Sequence, residues 1–172
     1  ECTQRLWSGG RGAESALSYL HERGLNDRTI KAARLGVNAE DRYPEKSKWG
    51  MDGDGKVWLP RGVVIPWGAH GGIVGVNIRR PEGDVQPDAD EHWKGRKYQR
   101  ATGSWSPLYG TPEGTRAPRP VSETPIVLVE GEFDALAVLQ EAGDLVAPVA
   151  TGSTSGARRE RWRVTLAEAP AV

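Results

Sequence analysis

The chain has 172 residues, enough for one ordinary domain or two small ones with a real core. Its 23 Lys and Arg balance 23 Asp and Glu, so no global positive field draws it to nucleic acid, and any basic footprint is local. One cysteine, Cys2, excludes an internal disulfide and a multi-cysteine zinc site, and no apolar run approaches the roughly 18 residues of a membrane span. With no signal-peptide pattern, the composition is that of a soluble cytoplasmic protein with no membrane partner.

Cys2 to Arg11 carries little pattern, although Leu6 and Trp7 are natural anchors. Ser15 to Glu22 sets Ala16, Leu17 and Leu20 on one face, which predicts a short amphipathic helix ended by Gly24. Asn26 or Asp27 caps a second helix running to about Arg34, with Ile30 and Ala33 inward and Leu35-Gly36-Val37 closing it. Glu40 to Gly55 is polar and turn-rich. Asp52-Gly53-Asp54-Gly55 has some letters of a calcium loop, but Lys56 stands where a further acid is required, so it reads as a hairpin turn.

Val57 to Leu59, Val63 to Trp67 and Ile73 to Arg79 read as antiparallel strands, with Gly68 to Gly72 turning the last two. Alternation in the third puts Val74, Val76 and Ile78 on one face and Gly75, Asn77 and Arg79 on the other. If the apolar face packs on the core, Arg79 is displayed on an open one. Pro81 to Asp90 is an acidic, proline-bearing loop. His92 to Arg100 then concentrates basic residues with Trp93 and Tyr98, which is either a solvated basic face or a set of phosphate contacts with flat surfaces for bases. Residues 110–123, with Pro112, Pro118 and Pro120, have the composition of a linker.

The most organised stretch is Pro125 to Thr151. Ile126 to Val129 reads as a strand buried on both faces, Phe133 to Ala142 as a helix closed by Gly143, and Val146 to Ala150 as a second strand. Strand, helix, strand at this spacing is a right-handed βαβ unit with parallel strands. Function in such a sheet lies just past the carboxyl ends of the strands, where Glu130 falls, with Asp134 in the first helical turn. On spacing alone two readings stand. The pair is a functional rim, or it is a solvated strand end beside a carboxylate favoured by the helix dipole. After Gly156, ARRERWRV reads as a basic helical turn or two anchored by Trp162.

VLVEGEFDALAVLQ resembles the first motif of the Toprim domain of primases, topoisomerases and some nucleases, and VATGSTSG resembles the turn after its second strand. Three further stretches resemble the polymerase core of DnaG-type primases: ALSYLHERGLNDRTIKAARLGV its opening helix pair, RGVVIPWGAHGGIVGVNIRR a strand pair ending in an arginine, and KYQRATGSWSPLYG its Lys-Tyr and LYG run. The resemblance implies a fold between α+β and α/β, with a helix pair and small antiparallel sheet (residues 1–122) followed by the first half of a Rossmann-like Toprim sheet (124–172). Two parallel strands are too few to stand alone, so the chain reads as a segment of a longer protein or as one that packs against something else.

The implied activity is primer synthesis by nucleotidyl transfer from nucleoside triphosphates on single-stranded DNA, with a replicative helicase as a further partner. The resemblance makes Glu130 and Asp134 the catalytic residues, with Glu130 a partial ligand for Mg²⁺ or Mn²⁺. It makes Arg79, Arg80, Lys97 and Tyr98 nucleotide- and template-binding residues, and Arg100 belongs to the same basic run. The DxD pair that completes the Toprim metal site has no counterpart after Gly156, where the acids are Glu160 and Glu168. The EGEFD motif and short linker look more like phage, plasmid or mobile-element primases. The alternatives are a catalytically incomplete Toprim-like module binding single-stranded nucleic acid or a replication partner, and a Toprim nuclease.

Overall fold

The computed structural model describes residues 1–69, 72–105, 107–110, 124–152 and 160–167. The linker stretch 111–123 and most of the small-residue turn after Gly152 lie outside these residues, as does part of the turn expected over 68–72. Three short helices, α1 (Cys2–Ser8), α2 (Ala13–Glu22) and α3 (Asp27–Ala32), lead into β1 (Gly36–Asn38). A four-stranded antiparallel sheet follows, in the order β1, β2 (Gly62–Ala69), β3 (Gly72–Arg79) and β4 (Tyr98–Arg100). β5 (Ile126–Val129), α4 (Glu132–Ala142) and β6 (Ala147–Ala150) form a βαβ unit with a two-stranded parallel sheet, and α5 (Glu160–Ala167) follows. The protein is thus a mixed α/β fold. Among the described residues no helix is long and apolar enough to cross a membrane.

Local chemistry accounts for two of the helix ends. Asn26 Oδ1 accepts from the Thr29 N–H at 2.9 Å, capping α3. Gly24, with φ 80°, lets the chain leave α2 in a left-handed turn. Leu6, Leu20, Ile30 and Leu35 are fully buried and share one apolar core with Ile65 and Trp67 of the sheet and with Phe133, Leu136 and Ala150 of the βαβ unit. The core therefore runs without a break from the helical end into the parallel strands.

Three expectations are corrected. Val57 to Leu59 is no strand. Two isolated antiparallel bridges, Arg42 with Leu59 and Glu45 with Lys56, close the polar loop instead, while the ladder partner of β2 is β1, directly after α3. β5 is half-buried rather than enclosed, with Leu128 48 % exposed, because among the described residues only β6 pairs with it. In β3 the predicted polar face is covered rather than open: Asn77 and Arg79 are 7 % exposed because α2 and the start of α4 pack over that row, while on the predicted apolar face Ile78 is buried and Val74 and Val76 are half-buried.

The Leu108-Tyr109-Gly110 run is tied to the parallel sheet. Tyr109 and Ala150 exchange two backbone hydrogen bonds of 2.9 Å. Gly110 has φ 87°, and a Cβ there would stand 2.4 Å from the Pro148 carbonyl oxygen, so glycine alone fits.

Candidate functional site

The acidic rim starts where β5 ends. Glu130 is exposed, and its carbonyl accepts from the Gly152 N–H at 3.0 Å, which fixes the two strand ends beside each other. Gly131 is the N-cap residue of α4, and a Cβ on it would stand 3.0 Å from Asp134 Oδ2. The glycine therefore lets the Asp134 carboxylate fold back over the turn. Asp134 is exposed, and its Oδ1 accepts from Arg23 Nη2 at 3.3 Å, linking the first turn of α4 to the residue that follows α2. The Arg23 guanidinium also lies 5.6 Å from the Phe133 ring centre.

Glu132, between the two predicted acids, turns the other way. It is 3 % exposed, and its Oε1 accepts from Trp67 Nε1 at 3.0 Å and from Asn77 Nδ2 at 2.7 Å. A carboxyl group this deep is tolerated because two hydrogen-bond donors replace its water. Sequence reasoning missed it. A signal existed, since Glu132 shares the buried stripe of α4 with Leu136, four residues on.

The predicted basic residues separate into two kinds. Arg79 is buried rather than displayed. Its guanidinium lies 5.5 Å from the ring centres of both Tyr19 and Tyr98, Nη1 donates to the Arg80 carbonyl, and Nη2 donates to Glu82 Oε1 at 3.2 Å. Arg80 is 6 % exposed, and its Nη1 donates to the carbonyls of Trp93, Lys94 and Arg96 at 3.1, 3.1 and 2.9 Å. Its Nη2 donates to the Asp84 carbonyl, so one side chain gathers the whole 84–96 loop.

Lys97, by contrast, is exposed, and its carbonyl accepts from the Arg80 N–H at 2.9 Å. Arg100 is half-buried. It lies 4.1 Å from the Trp67 ring centre, and its Nη2 donates to the Trp105 carbonyl at 2.7 Å.

Tyr98 sits among these groups, 37 % exposed. Burial first, then the fields of Tyr19 and Glu132, push its hydroxyl up to about 12. Burial and Glu132 likewise raise Tyr109. Both phenols are therefore neutral hydrogen-bonding groups at neutral pH, not bases. The structure thus brings Glu132, Arg79, Tyr19 and Tyr98 into one cluster and joins Arg23 to Asp134, while Arg80 belongs to a loop-holding network. Among the described residues no three His, Cys, Asp or Glu side chains gather as a metal site.

No protein-family model matches the sequence, and no curated protein matches it. Solved structures do match. The Escherichia coli primase catalytic core is similar with a TM-score of 0.58 at 19% identity, over 87% of this chain and 50% of that one. The Mycobacterium tuberculosis DnaG RNA polymerase domain is similar with a TM-score of 0.58 at 19% identity, over 87% of this chain and 52% of that one. A DnaG catalytic domain bound to single-stranded DNA gives 0.57 at 20% identity, over 87% of this chain and 51% of that one. The chain spans about half the length of these cores, and what it shares with them is the fold of a DnaG primase catalytic core.

Proposed function

We propose that the chain is the N-terminal part of a primase polymerase core, of the phage or mobile-element kind, and that β5, α4 and β6 open its Toprim domain. The whole protein would make short primers on single-stranded DNA from nucleoside triphosphates, by metal-dependent nucleotidyl transfer. One observation carries the reading: in a primase-like fold, exposed Glu130 and Asp134 stand at the carboxyl end of a parallel strand, where such sheets place their chemistry. Lys97 and the outer face of Tyr98 are the template- and nucleotide-facing groups. Arg79 supports Tyr98 from beneath, and Arg80 holds the loop that leads to Lys97.

Mg²⁺ or Mn²⁺ needs oxygen ligands in a near-octahedral shell. The described residues do not fit a complete centre, since no three ligating side chains gather. Glu130 is proposed as one ligand, with the remaining acids on a further strand of the sheet. Glu130→Gln in the longest natural chain is expected to lower primer synthesis at least 100-fold, and the 172 residues alone are expected to make no primers with either metal. Robust synthesis by the 172 residues overturns the account of missing acids.

The same lack of a three-acid cluster favours a second reading, a catalytically incomplete module that binds single-stranded nucleic acid. Full-length activity indifferent to Glu130→Gln, together with binding of steep salt dependence, selects it.

A further inference from the structure

Trp67 of β2 is the largest of the fully buried side chains among the described residues. The pairing of β2 with β3 shifts register directly after it, an irregularity of the kind that re-aims a side chain. Its indole meets a different neighbour on each side. Nε1 donates to Glu132 Oε1 at 3.0 Å, the Tyr109 ring lies tilted at 5.3 Å, and the Arg100 guanidinium stands 4.1 Å from the ring centre. The far corner of the six-membered ring presses on Gly152, where a Cβ would stand 3.0 Å from Cη2 and 3.2 Å from Cζ2. Gly152 has φ 76°, so both its backbone and its neighbour require glycine.

These neighbours surround the strand end that carries Glu130. The Gly152 N–H donates to the Glu130 carbonyl at 3.0 Å, and Tyr109 holds the end of β6 through its two backbone bonds with Ala150. On the other flank, Nε1 fixes Glu132, in the helical turn that follows Glu130. The Glu130 backbone is thus held on both sides by groups that rest on one ring, while its carboxylate stays exposed. Close-packed interiors transmit a displacement instead of absorbing it, and a reacting group misplaced by about 1 Å can cost about 100-fold in rate.

We propose that Trp67 is a positioning residue for the acidic rim: its indole is the rigid seat of the turn at Gly152, and through that turn it sets where Glu130 stands. The inference deepens the primase reading and rests on Glu130 as a reacting acid. It assigns neither Trp67 nor Gly152 a contact with substrate.

The test is a double-substitution cycle on primer synthesis by the longest natural chain, run well below the melting temperature of every variant. Gly152→Ala drives a methyl into the indole corner and is expected to lower kcat about 30-fold. The KM for nucleoside triphosphate is expected to stay within about twofold, since Lys97 and Tyr98 are untouched. Trp67→Phe removes the corner and is expected to lower kcat about tenfold by itself. The double variant is expected to match Trp67→Phe within about threefold, because the smaller ring leaves room for the methyl. Backbone strain in alanine at this φ is common to both backgrounds and cannot produce that rescue.

Losses that simply multiply in the double variant overturn the seat. Wild-type kcat in Trp67→Phe does so as well, and it decides the matter if Gly152→Ala does not fold. A raised KM with unchanged kcat gives the ring to nucleotide binding through Arg100 and also overturns the proposal. Glu130→Gln separates the two levels of the argument. If that variant keeps full synthesis, the rim reading falls and this inference with it. If it loses synthesis while the cycle shows no coupling, only the positioning role of Trp67 falls.

Discussion

Glu132 Oε1 accepts from Asn77 Nδ2 at 2.7 Å, a buried bond between the first turn of α4 and the middle of β3. With the second bond from Trp67, it makes one carboxylate the tie between the βαβ unit and the antiparallel sheet. Removing an acceptor while leaving two buried donors costs more than the bonds themselves contribute. Glu132→Ala is expected to destabilise the chain by about 3 kcal/mol. Glu132→Gln, which keeps one acceptor oxygen, is expected to cost less than half as much. Chemical denaturation of the two variants checks the order, and equal losses would mean that volume rather than hydrogen bonding is at stake.

Much of this arrangement is legible in the sequence. The α2 and α3 pair, the β2–β3 hairpin and the β5–α4–β6 unit follow from period, caps and glycines. What escaped has physical reasons. Alternation in β3 says which residues share a face but not which faces are covered, and here the polar row of Asn77 and Arg79 is covered too, because Glu132 and the tyrosines satisfy it. α1 is one short turn-pair with only Leu6 and Trp7 to mark it. β1 has three residues and follows α3 at once, so it has no period to read. Of the site, Glu130 and Asp134 stand exposed where the strand end predicts them, whereas Glu132 was hidden between them by the same acidic letters.

Arg80 and Lys97, joined by a backbone hydrogen bond of 2.9 Å, have opposite environments. The Arg80 guanidinium serves four carbonyls, and no lysine reproduces that fork. Arg80→Lys is therefore expected to lose about 2 kcal/mol or more, since a buried arginine's hydrogen bonds go unmade. Lys97→Ala, at an exposed position, is expected to stay within about 0.5 kcal/mol of wild type while weakening single-strand binding. Thermal unfolding and anisotropy, measured side by side, separate the two roles.

Tyrosine titration gives an alkaline signature. An unfolded tyrosine loses its proton near pH 10, while Tyr98 in the folded chain holds it to about 12, and Tyr109 is raised as well. Below pH 10 both states are protonated, so these groups add no pH dependence. Above it the unfolded state releases protons that the folded state keeps, so stability falls as pH rises towards 12. Tyr109→Phe is expected to flatten this fall, because it removes the fully buried phenol. Denaturant midpoints at pH 8, 10 and 11 check it, and an unchanged slope in the variant would assign the alkaline loss to other groups.

Asp134 offers the sharpest separation of fold from function. Its ion pair with Arg23 spans 3.3 Å, with side chains 55% and 43% exposed, and exposed pairs contribute only about 0–1 kcal/mol. Asp134→Asn therefore leaves the melting temperature nearly unchanged. If Asp134 stands at the reacting centre, the same substitution in the longest natural chain lowers primer synthesis by about 100-fold or more, an effect too large to come from about 1 kcal/mol of structure. Arg23→Ala is the control: it breaks the same pair, and a merely structural role for Asp134 requires the two variants to behave alike. A large loss in Asp134→Asn with a small one in Arg23→Ala assigns the carboxylate to the chemistry. Matched small losses reduce it to a helix-terminal charge and leave Glu130 as the sole acid of the rim.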